Sequence, residues 1–368
     1  MKEENTQLKF KLTSDIRSEN ASFGKYEQYI DLREAYNQKE KAGLVEVGVT
    51  KENDYKIVPG INVICGMTGH GKSMLANNIA YRAIKRGLNV AYISLEISKE
   101  NMFYQMISIK SFNDGATGDK LISHSTLKER NLLPEQEKYV FDELWPSFKD
   151  MPGNIYVVGE WDFNTTSSRE MQIKLMEVEN YARTHSGHGI DLLIVDYIQL
   201  FKQYTDTYAQ GEYSVLGMWV NDFRKMSQNY LGLDREIPII LLSQLNRDAW
   251  NDDKSRLKAQ SKGKSTQNVI LSISQVAGCT EIVKSADQVF AVYSDESLKA
   301  SKQCLISVIK CRNGETKVEP VISFMDPKYY IMGLEKSNNN CELDSLDELM
   351  LGLDMTELNL NDLQPGNI

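Results

Sequence analysis

Long apolar runs are missing from this 368-residue chain. None approaches the roughly 18 residues that a membrane-spanning helix needs. The first residues, Met1-Lys2-Glu3-Glu4-Asn5, also lack the apolar core of a secretion signal. Cysteine is sparse and odd in number: Cys65, Cys279, Cys304, Cys311 and Cys341, with no pair at CxxC spacing. This argues against a disulfide framework and a cysteine zinc site, and fits a reducing cytoplasm. The four histidines, His70, His124, His185 and His188, form no ligand pattern on a helix. A basic excess is lacking too, since the formal net charge is −9. Overall charge therefore does not advertise nucleic-acid binding, although a local basic patch suffices for it.

What is present is an ordinary balance of 41% hydrophobic and 25% charged residues, enough for a sizeable core. Residues 1–56 are polar, with spaced apolar residues Ile16, Phe23, Tyr26, Ile30, Leu32 and Tyr36. They read either as a helical arm or linker or as an N-terminal helix packed on the main domain. From Ile57 onward short apolar runs alternate with amphipathic stretches, the pattern of an α/β fold with a mostly parallel central sheet flanked by helices. Strands are predicted at 61–65, 90–95, 155–158, 192–195, 239–242, 289–293 and 305–309. Helices are predicted at 73–86 and 170–184. Asn313-Gly314 reads as a hairpin turn. After Lys336 there is no lysine or arginine, and acids alternate with leucines. Residues 336–368 thus form an acidic, leucine-rich tail.

Gly66-Met67-Thr68-Gly69-His70-Gly71-Lys72-Ser73 matches GxxxxGK[ST] between a predicted strand and a predicted helix. Glycines let the backbone wrap a phosphate, and successive N–H groups at a helix start face the anion. Lys72 would reach the β- and γ-phosphates, and the Ser73 hydroxyl would hold Mg²⁺. The apolar strand 192–195 ends in Asp196, as a metal-side carboxylate requires. It is expected to lie buried beside the phosphate-loop strand. Glu96 closes strand 90–95 and is either a base for the attacking water or a helix-start acid ahead of Ser98. Gln244 follows strand 239–242 as a γ-phosphate sensor or a polar loop start.

These segments together resemble the RecA-like motor domain of DnaB-family replicative helicases. They are 66–73; Tyr92-Ile93-Ser94-Leu95-Glu96; Ile194-Val195-Asp196-Tyr197-Ile198-Gln199-Leu200; Leu242-Ser243-Gln244-Leu245-Asn246-Arg247; Ser285-Ala286-Asp287-Gln288-Val289; and Ile309-Lys310-Cys311-Arg312-Asn313-Gly314. The strings VDYIQL and LSQLNR are the most specific, and the likeness covers residues 57–332. It implies a RecA-like P-loop core over 57–335, ATP and Mg²⁺ as ligands, and Lys72, Glu96, Asp196 and Gln244 in the hydrolytic site. It further implies Lys310 and Arg312 as fingers that act on the neighbouring subunit's ATP. It implies a hexameric ring working on single-stranded or forked DNA, with a primase, loader or polymerase as further partners, in a bacterium or a phage-infected cell.

The likeness has limits. The family's globular primase-binding domain is missing from residues 1–56. Glu96 and Asp196 stand farther apart than usual, so 112–150 reads as an inserted helical region. Residues 277–284 do not keep the family's DNA-loop pattern. The densest basic stretch, Lys254, Arg256, Lys258, Lys262 and Lys264, is a candidate DNA contact or a solvated loop. The acidic tail either docks on a basic partner or keeps the assembly soluble. Alternatives are a RecA/RadA-like recombinase and an inactive adaptor that co-assembles with a host helicase.

Overall fold

The computed structural model describes residues 45–46, 56–159, 162–163, 167–204, 212–233, 235–244, 280–312 and 316–333. All belong to the second of two units, Leu44–Ile368. Most of the predicted arm, the basic stretch 254–264, the Asn313-Gly314 turn and the acidic tail lie outside the described residues. In chain order the elements are β1 (Val45–Glu46), β2 (Lys56–Ile57), β3 (Gly60–Gly66), α1 (Lys72–Lys85), β4 (Val90–Ser94), α2 (Lys99–Asn113), α3 (His124–Lys128), α4 (Pro134–Lys138), β5 (Ile155–Gly159), α5 (Ser168–Ser186), β6 (Leu192–Asp196), α6 (Glu212–Gln228), β7 (Pro238–Gln244), α7 (Thr280–Ser285), β8 (Gln288–Tyr293), α8 (Glu296–Ala300), β9 (Gln303–Cys311), β10 (Lys317–Asp326) and β11 (Ile331–Met332).

Among the described residues, nine strands form one sheet in the order β11-β10-β9-β8-β3-β7-β6-β4-β5. The run from β8 to β5 is parallel. Strands β9, β10 and β11 extend it antiparallel. The continuous apolar runs seen in the sequence follow from this, because helices cover both faces of a parallel sheet. Alternation then assigns the faces. Val63, Ile93, Val195 and Leu241 pack with Leu175 of α5 and with Leu216 and Phe223 of α6. Ile64, Tyr92, Ile194, Leu242 and Phe290 pack with Leu75 and Ile79 of α1 and with Met102 and Met106 of α2. Each large side chain so buried contributes on the order of 1.5–3 kcal/mol before entropy is counted.

One expectation is corrected here. The strand ending in Asp196 does not lie beside the phosphate-loop strand, because β7 stands between β6 and β3. β3 pairs along its length with β7 on one side and β8 on the other, so both of its edges are taken. Parallel neighbours are joined by helical crossovers, and a crossover can skip a position.

Caps set the helix limits. Ser167 Oγ accepts from Glu170 N at 3.2 Å and starts α5, and left-handed Gly187 ends it. Residues 112–150 hold α3, α4 and short irregular turns. Ile122, Leu127, Val140 and Leu144 form a small core there with Ile107 of α2. At the opposite end of the sheet from residues 66–73, buried Glu179 pairs with Arg183 at 2.7 Å and Arg235 at 3.1 Å. It also accepts from Ile190 N at 2.8 Å, so this buried charge is fully partnered. Among the described residues no helix is long and apolar enough to cross a membrane.

Candidate active site

The stretch 66–73 leaves the C-terminal end of β3 and enters α1. Gly66 and His70 are buried, Thr68 and Gly69 are exposed, and Met67 and Ser73 are half-buried. Gly71, at the N-cap, has φ +97°, a conformation that suits glycine. A Cβ there would also come 2.8 Å from Met332 Cε, so β11 backs the loop directly. The first turn of α1 carries no acid and no side-chain cap, which leaves its N–H groups facing outward with partial positive charge. Lys72 is buried and its Nζ donates to Met67 O at 2.9 Å, so the ammonium folds back over its own loop. Burial lowers the Lys72 pKa, and the charges of Asp196 and Glu96 oppose that.

Asp196 ends β6 and is 1% exposed. Its Oδ2 accepts from the Tyr92 hydroxyl at 3.2 Å, whereas Oδ1 is buried without a hydrogen-bond partner. Burial pushes the carboxyl up to about 6; the charge of Glu96 adds to this, and Ser73, Tyr92 and Lys72 pull the other way. The next peptide, Asp196–Tyr197, is cis. Glu96 lies two residues beyond β4 and is exposed. The backbone bond from Leu95 N to Asp196 O, 2.9 Å, ties its segment to the end of β6. The cap of α2 is Ser98, whose Oγ accepts from Asn101 N at 3.3 Å, so Glu96 precedes the helix and does not cap it. Its charge acts on Lys72, Asp196 and Tyr197.

Gln244 ends β7 opposite Gly66 in the parallel ladder. Its side chain bonds to the Tyr197 hydroxyl, and Gln199 Nε2 donates to the adjacent Ser243 Oγ at 2.7 Å. The ends of β3, β4, β6 and β7 therefore bring Lys72, Ser73, Glu96, Asp196 and Gln244 to one edge of the sheet. Tyr92, Tyr197 and Met332 join them there and were missed in the sequence. An apolar run such as Val90–Ser94 does not reveal which face meets a carboxylate.

Lys310 and Arg312 lie elsewhere. β9 runs antiparallel to β8, with Cys311 opposite Gln288, and Gln288 is opposite Asn62 near the start of β3. Lys310 Nζ donates to Val283 O at 2.5 Å and Lys284 O at 3.2 Å, the last carbonyls of α7. Arg312 donates to Lys284 O at 3.2 Å and pairs with Asp287 at 3.0 Å. Asp287 also accepts from Ile61 N at 2.9 Å, fixing this group at the beginning of β3. The five basic residues Lys254, Arg256, Lys258, Lys262 and Lys264 lie outside the described residues. A cavity of about 480 Å³ between α5 and α6, lined by Ile173, Met176, Met226 and Leu231 among others, contains none of these site residues.

The order of strands and the loop at the end of β3 define a RecA-like α/β ATPase fold. Two solved structures share it, each with TM-score 0.60. One is described as an ATPase domain; it is 17% identical, and the match covers 85% of this chain and 99% of that one. The other, "The Structure Of A DnaB-Like Replicative Helicase And Its Interactions With Primase", is 18% identical and covers 88% and 70%. Residues 59–327, well over half the chain, match the family described as DnaB-like helicase C terminal domain, and the chain belongs to that family. It is 24% identical over 285 residues to a DnaB-like replicative helicase of Enterobacteria phage T4. That alignment takes in 76% of this chain and 49% of the phage protein, so the chain spans about half the length of that relative.

Proposed function

We propose that the chain is the ATP-hydrolysing motor of a ring helicase that moves on single-stranded DNA, with each active site completed by the neighbouring subunit. One observation carries this reading. Lys72, Ser73, Glu96, Asp196 and Gln244 share one sheet edge, while Lys310 and Arg312 of the same chain sit at the opposite edge. From Asn62 to Gly66 alone the separation is roughly 13 Å at about 3.3 Å per strand residue. These cations do not reach their own phosphate loop, and an adjacent copy is the natural recipient.

In this reading the backbone of 66–73 and Lys72 hold the ATP phosphates, and Lys72 leaves Met67 O to do so. Glu96 takes a proton from the water that attacks the γ-phosphorus, and ADP departs as the β–γ bond breaks. Gln244 contacts the γ-phosphate, and Lys310 and Arg312 from the neighbour offset the charge that develops there. Among the described residues no three histidine, cysteine, aspartate or glutamate groups gather as a metal cluster. Mg²⁺ binds through one or two protein oxygens plus substrate phosphates. The unpartnered Asp196 Oδ1 beside Ser73 is a suitable pair of protein ligands. Mg²⁺ held there would neutralise phosphate oxygens.

The test is strand displacement on forked DNA. Wild type is expected to unwind the fork with ATP, and Lys72→Ala to lose at least about a hundredfold in rate. Electron microscopy of the ATP-bound protein is expected to reveal closed rings; helical filaments would favour the recombinase reading, and wild type without DNA-stimulated ATPase the adaptor reading. We further propose that the basic stretch 254–264 lines the DNA channel, because it follows the strand that ends in Gln244. Neutralising Lys254, Arg256, Lys258, Lys262 and Lys264 is expected to weaken DNA stimulation and flatten its salt dependence. An unchanged salt slope would assign these residues to a solvated loop.

A further inference from the structure

One side chain of the phosphate loop is anchored within the fold. Thr68 and Gly69 are exposed, yet His70 beside them is only 7% exposed. Its Nδ1 lies 3.2 Å from the backbone N of Ser294. A backbone N–H can only donate, so Nδ1 accepts and the ring carries its proton on Nε2. The ring stands edge-on to Tyr293, centroids 5.1 Å apart. Ser294 is itself fixed, because its hydroxyl donates to Gln303 O at 3.1 Å. The next residue, Asp295, caps α8 through Leu298 N at 2.8 Å. His70 thus fastens the loop to the turn between β8 and α8.

Such a fastening has a physical use here. Gly69 and Gly71, on either side of His70, have φ +79° and +97°. Two glycines give the loop wide conformational freedom, and ordering it around a phosphate costs entropy. A side-chain anchor between them removes part of that cost before the nucleotide arrives. We infer that His70 is a positioning residue for nucleotide binding, acting through its Nδ1 bond to Ser294 N. This rests on the reading of 66–73 as a phosphate loop. The surroundings keep the ring neutral: burial, with Lys299 and Lys72, lowers its pKa to about 4 against the opposing charges of Asp295 and Glu296.

The experiment titrates the full-length chain with a fluorescent ATP analogue and Mg²⁺. His70→Ala is expected to weaken binding about five- to tenfold, the worth of one buried hydrogen bond plus lost order. His70→Asn, whose Oδ1 can stand where Nδ1 stands, is expected to recover to within about twofold of wild type. In wild type, ¹⁵N NMR of the imidazole is expected to report the Nε2–H tautomer with no titration between pH 6 and 8. Equal losses in both variants, wild-type binding by His70→Ala, or a ring titrating near its ordinary value would each overturn the inference. Binding by neither wild type nor variants would instead defeat the phosphate-loop reading on which it rests.

Discussion

Mixing Lys72→Ala chains with Arg312→Ala chains is expected to restore ATP hydrolysis that neither variant has alone. Each variant by itself should fall about a thousandfold or more, because in the proposed reading one lacks the lysine that holds the phosphates and the other the cation supplied to its neighbour. After subunit exchange, the intact phosphate loop of an Arg312→Ala chain meets the intact finger of a Lys72→Ala chain. Random mixing in a closed ring makes about one interface in four complete in this way. The recovered rate should therefore exceed either variant by well over tenfold in a DNA-stimulated ATPase assay. The physical ground is the separation of the two groups within one chain: Arg312 pairs with Asp287 at the start of β3, and Lys72 lies past its end. A mixture no more active than the sum of its parts would mean that Arg312 serves its own chain or none.

Replacing Asp196 with Asn is expected to stabilise the nucleotide-free protein at neutral pH while abolishing hydrolysis. Burial raises the Asp196 carboxyl from 3.8 to about 6. The folded state therefore binds more protons than the unfolded chain between those values, so stability falls as pH rises through that window. Above pH 6 the cost is fully present, and a shift of about two units corresponds to at most about 3 kcal/mol. Asn carries no charge and can still accept from the Tyr92 hydroxyl. The melting temperature of Asp196→Asn should exceed that of wild type by several degrees at pH 7.5, with the gap narrowing toward pH 4. His70 titrates in an overlapping range in both proteins, so the difference between them isolates Asp196. ATP turnover should fall about a thousandfold. A variant less stable than wild type at pH 7.5 would show that the carboxylate is not a strained, buried charge. Such a site trades stability of the empty fold for its chemistry.

Much of the fold was legible because the local signals agreed with one another. Continuous apolar runs marked the central strands, and GxxxxGK[ST] marked the turn from β3 to α1. The antiparallel ladder of β9 and β10 also agrees with a hairpin there, although its tip lies outside the described residues. The place of β7 between β3 and β6 was not legible, since a run of five apolar residues carries no address within a sheet. The 112–150 segment was read from the sequence as an inserted helical region, and its small core with Ile107 depends on which face of α2 it covers.

By itself the sequence determined the residue types of the stretch 66–73, the acids Glu96 after β4 and Asp196 at the end of β6, and the family. Those depend on covalent order and short-range periodicity. Only the tertiary structure decided which groups meet. Strand pairing set Lys72, Glu96, Asp196 and Gln244 on one edge and Lys310 and Arg312 on the other. Burial then raised the Asp196 carboxyl and left its Oδ1 without a donor, and the β8–α8 turn gave His70 its partner. Distances and desolvation arise from packing between residues far apart in the chain, and no local pattern encodes them.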